Sequence, residues 1–140
     1  MKTSFEIIEH TADIGIRAFG QDLPLTFTAA ATGMFSLITD LRRVRSTTKR
    51  IITARSEDTQ SLLVEWLNQL LYLFDTQYFL CKRCLITEFS DTCLKAECWG
   101  ETIDKNRHQL KRGIKSATYH MLKIEPLKEG GYIAEVLLDI

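Results

Sequence analysis

Polar and apolar residues alternate from Thr3 to Glu9, with Phe5 and Ile7 on one side, which predicts a β-strand with one covered face. Alternation resumes at Ile14, Ile16, Ala18 and Gly20 and predicts a second strand, while the link from Glu9 to Asp13 is polar and turn-like. At Asp22 the period changes. Leu23-Pro24 suits a helix start, because proline lacks an N–H that the first turn leaves unpaired anyway. Leu25, Ala29, Thr32 or Gly33, Phe35 or Ser36, and Ile38 then trace an apolar stripe to about Asp40. A strand is predicted over residues 45–55, around Ile51 and Ile52.

The strongest helical signal follows. Asp58 suits an N-cap, and Leu62, Leu63, Trp66, Leu67, Leu70, Leu71, Leu73 and Phe74 recur at three- and four-residue spacing. That apolar face is too wide for a surface helix and predicts packing against a sheet. A hairpin is predicted from residues 80–89 and 93–99 around Ser90-Asp91-Thr92. A basic loop, residues 100–112, leads to an extended segment over 114–124, in which residues 116–121 also suit a helical turn. Glu129-Gly130-Gly131 then makes a turn before a last strand over 132–138. Paired strands with two helices between them give an α+β pattern, expected as one domain over residues 1–140.

Composition narrows the function classes. Eighteen basic residues balance eighteen acidic ones, which argues against autonomous nucleic-acid binding, since phosphate contacts rely on accumulated Lys and Arg. Two local clusters remain: Arg42, Arg43, Arg45, Lys49 and Arg50, and Lys105, Arg107, His108, Lys111, Arg112 and Lys115. The first residues lack the apolar core of a signal peptide, and no apolar run is long enough to span a bilayer, so a cytoplasmic location is expected. Cys81-Lys82-Arg83-Cys84, with Cys93 and Cys98, has the look of a thiolate zinc site. Regular strands argue against it. Residues three or five apart on a strand point to opposite faces, and no glycine stands beside the CxxC to turn the chain. Free thiols are therefore expected.

Catalytic patterns are missing: His10, His108 and His120 form no two-histidine metal spacing, and there is no GxSxG elbow or glycine-rich phosphate loop. The other end of the chain carries chemistry. Strand residues run through Val136-Leu137-Leu138 to Asp139 and Ile140, setting a terminal carboxylate beside that of Asp139. Two anions held together need a cation, a basic side chain or a shared proton. Asp13 reads first as a turn residue. As a second reading it supplies a third oxygen ligand, if the first and last strands are neighbours. Ligation by oxygen alone suits Ca²⁺ or Mg²⁺ rather than zinc.

The segment His10-Thr11-Ala12-Asp13-Ile14-Gly15-Ile16-Arg17-Ala18-Phe19-Gly20 resembles the opening signature of the archease family. Three more segments agree in order and spacing: Ser61-Leu62-Leu63-Val64-Glu65-Trp66-Leu67-Asn68-Gln69-Leu70-Leu71-Tyr72, Ile114-Lys115-Ser116-Ala117-Thr118-Tyr119-His120, and Leu138-Asp139-Ile140. The resemblance implies an α+β domain of the SHS2 type, with a mixed sheet, two main helices and an insertion. It also implies a divalent metal, calcium first with Mg²⁺ or Mn²⁺ as alternatives, held by Asp13, Asp139 and Ile140.

In function, the resemblance implies a non-enzymatic accessory protein that activates an RtcB-type tRNA-splicing RNA ligase, promoting its guanylylation and multiple turnover. RNA would be met only indirectly, and no membrane is involved. Candidate contacts to the ligase or its nucleotide are His10, Lys105, Arg107, His108 and Lys115. Gly113 departs from the pattern, since family members often carry Glu there. Two alternatives are a chaperone or modulator of a tRNA methyltransferase, which would be indifferent to metal, and a small metal-dependent hydrolase using Asp13 and His10, which would turn over without a partner.

Overall fold

The computed structural model describes residues 2–9 and 13–140. The element order is β1 (Ser4–Glu9), β2 (Asp13–Gly20), α1 (Leu23–Ile38), a 3₁₀ turn (Leu41–Arg43), β3 (Thr48–Arg55), α2 (Thr59–Gln77), β4 (Phe79–Phe89), β5 (Cys93–Thr102), β6 (Ser116–Pro126) and β7 (Tyr132–Asp139). The strands form a four-stranded sheet, β1-β2-β7-β6, and a three-stranded sheet, β3-β5-β4. Every described pairing is antiparallel, so the α+β class holds, but two antiparallel sheets replace the expected mixed one. Both helices lie between the sheets. α1 packs on β1, β2 and β7 on one side and β4 on the other, and α2 bridges β6 to β3 and β4.

This sandwiched position explains how the helices are built. Asp22 caps α1 by accepting from the Leu25 N–H at 2.8 Å, and Pro24 occupies the first turn. Thr26, Phe27, Ala29, Ala30, Ala31, Gly33, Met34, Phe35 and Ile38 are all buried, leaving α1 little solvated surface, whereas Leu25 is exposed. A stripe limited to one face therefore underestimates the burial of α1. Small residues permit it: a Cβ on Gly33 would stand 3.0 Å from Ile16 and 3.1 Å from Phe5, so helix and sheet are already in contact there. In α2, Asp58 and Ser61 form a reciprocal capping box, and Leu62, Leu63, Trp66, Leu67, Leu70 and Leu71 are buried. The Trp66 indole N–H donates to the Phe27 carbonyl at 3.0 Å, tying α2 to α1 inside the core.

β6 departs from regular alternation. Thr118 pairs with Leu137, but the next pair is Lys123 with Glu135, so the intervening residues bulge out around a left-handed Met121 (φ 55°). Tyr119, His120 and Met121 are exposed there. The irregularity that the sequence offered as a helical turn is this bulge. The start of β6 is held from the helix layer instead: Asn68 of α2 accepts from the Ala117 N–H (2.8 Å) and donates to the Ala117 carbonyl (3.3 Å). Its carboxamide stands in for a neighbouring strand.

Candidate functional site

Antiparallel pairing of β2 with β7 sets Asp13 directly opposite Asp139. Directly opposed residues share a face with Cβ atoms about 4.5–5.5 Å apart, and like charges there repel. No described basic side chain forms an ion pair with either carboxylate. Among the described residues, Asp13 Oδ1 is the one enclosed side-chain oxygen or nitrogen without a hydrogen-bond partner. Such an atom forfeits its hydration with nothing in return, unless a cation takes it. The donor set is oxygen only, which fits a hard divalent cation and does not fit a soft one.

The surrounding backbone fixes this pair. Ser116 is the β6 partner of Asp139, and the Lys115 N–H donates to the Asp139 carbonyl at 2.7 Å. The main chain of Lys115 is thus held against Asp139, and its side chain is exposed. Asn68, through Ala117, anchors the same strand start. Ile140 follows Asp139 and is partly exposed, at 39%. His10, the other candidate in this region, lies outside the described residues.

The remaining candidates gather in the segment between β5 and β6. Lys105, Arg107 and His108 line one cleft with Asp40, Arg43, Asn106 and Gln109. They differ in availability. His108 is buried; its Nδ1 accepts from the Asp104 N–H (2.9 Å), which leaves the Nε2 proton for the Arg43 carbonyl and Glu101, each at 3.1 Å. Arg107 forms a two-pronged ion pair with the buried Glu101. Both side chains hold the loop to the end of β5, so in this structure they are structural, and Lys105 is the exposed cation of the three. The segment is also tied to α1, where the Lys111 N–H donates to Ile38 and Thr39 Oγ1 donates to Gln109. Gly113 is exposed, and a Cβ there would meet nothing within 4 Å. The other basic cluster is dispersed: Arg42 pairs with Asp40, Lys49 with Glu97, and Arg50 lies over Phe79.

Hydrogen bonding from Arg107 pulls the Glu101 carboxyl from 4.5 down to about 2, against the opposing effect of burial. A depressed folded value means the pair stabilises fully above the ordinary carboxylate range and loses that contribution as pH falls from about 4.5 through about 2. The expected result is that wild type exceeds Glu101→Gln in stability by at most about 3 kcal/mol near neutrality. Urea melts at descending pH should show the two proteins converging at about pH 2. A constant gap would assign the difference to packing.

The chain matches the family model described as the Archease protein family (MTH1598/TM1083) over residues 5–140. This chain belongs to the archease family. The archease of Sulfurisphaera tokodaii is 36% identical over 137 residues, covering 97% of this chain and 98% of that protein. The archease of Pyrococcus furiosus is 35% identical over 139 residues, with the same coverage. Among solved structures, the solution structure of Methanobacterium thermoautotrophicum protein 1598 superposes with a TM-score of 0.83 at 36% identity, covering 98% of this chain and 99% of that one. The archease fold expected from the sequence is therefore the fold observed. Family membership places the chain among accessory proteins rather than enzymes. No described helix is long and apolar enough to cross a membrane.

Proposed function

We propose that this archease holds a divalent cation, Ca²⁺ first and Mg²⁺ or Mn²⁺ as alternatives, between Asp13, Asp139 and Ile140, and uses that site to activate an RtcB-type RNA ligase. The observation that carries the reading is the enclosed, unpartnered Asp13 Oδ1 directly across the strand pair from Asp139. The cation would supply positive charge at the ligase's nucleotide site, favouring the guanylylated enzyme as metals favour phosphoryl transfer generally. This chain's own groups set the position. Asp13 and Asp139 come from two hydrogen-bonded central strands, β7 is pinned to β6 through Lys115, and β6 is pinned to α2 through Asn68. A rigid pair of strands holds ligands more closely than a loop would. Lys105 and Lys115, both exposed, and His10 are the side chains offered to the ligase or its nucleotide.

In the test, the cognate ligase joins RNA ends in single- and multiple-turnover assays with substoichiometric amounts of this protein. Guanylylation and turnover of the ligase should rise. Asp13→Asn, which keeps the side chain's size, should remove most of the gain without changing the melting temperature by more than a few degrees. Hydrolysis of nucleotide by this protein alone, or an unchanged ligase, would overturn the reading.

A further inference from the structure

The three-stranded sheet carries a second cluster of ligand-type side chains, distant in kind from the carboxylates. The sulfur atoms of Cys81, Cys84 and Cys98 all lie within 4.8 Å of one another, and those of Cys81 and Cys84 are 3.2 Å apart. Regular alternation would forbid this, and a bulge in β4 permits it. Cys81 pairs with Gly100, and Arg83 pairs with Trp99, so two steps on β4 answer one on β5. The extra residue returns Cys84, the partner of Cys98, to the face that Cys81 already occupies. Lys82, at the bulge, donates to the Leu41 carbonyl, and Arg83 lies 4.1 Å over the Trp99 ring on the opposite face. Gly100, the partner of Cys81 on β5, marks a close approach of the two strands. A Cβ on Gly100 would collide with the Leu80 carbonyl, so only glycine lets β4 cross so closely.

We propose that Cys81, Cys84 and Cys98 form a three-thiolate site for one soft d¹⁰ cation, monovalent copper. Metal–sulfur bonds of about 2.3 Å place three coplanar sulfurs about 4 Å apart, so the observed spacing closes on an ion with shifts below about 1 Å. Thiolate selects soft ions. Among the described residues no histidine, carboxylate or fourth cysteine joins the group, which suits three-coordinate copper(I) better than zinc, a four-coordinate ion in structural sites. Cys81 and Cys98 are buried and Cys84 is half-buried, giving the ion an entrance at Cys84. The thiols release their protons to solvent as the cation arrives. No electron is transferred.

The full chain, reduced and kept free of oxygen, should be titrated with copper(I) against a copper(I)-specific chelator, and separately with Zn²⁺. One equivalent of copper(I) should bind with a thiolate-to-copper absorption band, and Zn²⁺ should not displace it. Cys84→Ser is half-exposed and should still fold, as circular dichroism can check. It should lose more affinity than the roughly 10–100-fold that second-sphere changes cost. Cys93→Ser should bind as wild type, because Cys93 sits by Ser90 at the hairpin end. In the wild type, bound copper should shield Cys81, Cys84 and Cys98 from alkylation and leave Cys93 reactive. Undiminished copper binding by Cys84→Ser, displacement by Zn²⁺, or alkylation of all four cysteines at unchanged rates would overturn the proposal.

Discussion

Replacing Trp66 with alanine is expected to cost the fold about 3–5 kcal/mol, the range for truncating a large buried aromatic side chain. The ring is fully buried between the two sheets, and its indole N–H donates to the Phe27 carbonyl. Truncation leaves a cavity and strands that carbonyl in the core, so two costs add. Gln69→Ala on the same helix should shift stability by no more than about half a kcal/mol. Gln69 is half-buried, and its side chain donates a hydrogen bond to Glu65 within the helix. Denaturant melts that rank the two substitutions the other way would overturn the placement of α2 between the sheets.

Gly100→Ala is expected to be as damaging, although it adds a single methyl group. That methyl would overlap the Leu80 carbonyl and press on Cys81 Cα, and both obstacles are backbone. Backbone cannot swing aside as a side chain can, so the β4–β5 pairing must shift. Overpacking of this kind costs typically about 1–3 kcal/mol, and more where the main chain must move. Gly113→Ala provides the contrast, since a Cβ there meets open space. Thermal melts should show a large loss for the first substitution and almost none for the second. Equal effects would mean that β4 and β5 do not cross closely at Gly100.

These two positions also separate what the chain reveals from what it hides. The cap at Asp58 and the period of Leu62 to Phe74 mark the start and the buried face of α2, because helix period and capping chemistry are local, while its end at Gln77 lies beyond the apolar pattern. Asp22 and Pro24 marked the start of α1 for the same reason. Asp13 and Asp139 were within reach once the last strand was seen to end at Asp139, but only their pairing across β2 and β7 brings them together. The cysteine cluster is hidden from the sequence because strict alternation separates Cys81 from Cys84. The bulge between Cys81 and Arg83 reverses the facing of the residues that follow it, and it shows only in the pairing with β5. His108 and Arg107 read as surface cations in a basic run, yet the carboxylate that claims them, Glu101, precedes the run and becomes buried only on folding. Neither fact is local, so neither is legible from spacing.

The carboxylates at the β2–β7 strand ends are proposed to hold a divalent cation that the ligase needs. Calorimetric titration of Ca²⁺ into wild type and Asp139→Ala, with ligase guanylylation measured on the same samples, decides the matter. Wild type should bind one ion with a dissociation constant in the range of about micromolar to millimolar. Asp139→Ala should lose both the binding and the stimulation while remaining folded. A chain extended by one residue beyond Ile140 keeps every side chain but moves the terminal charge by about 3.3 Å, and it should bind more weakly than wild type. If Asp139→Ala binds Ca²⁺ and stimulates the ligase as well as wild type does, the β2–β7 carboxylates do not hold the activating cation.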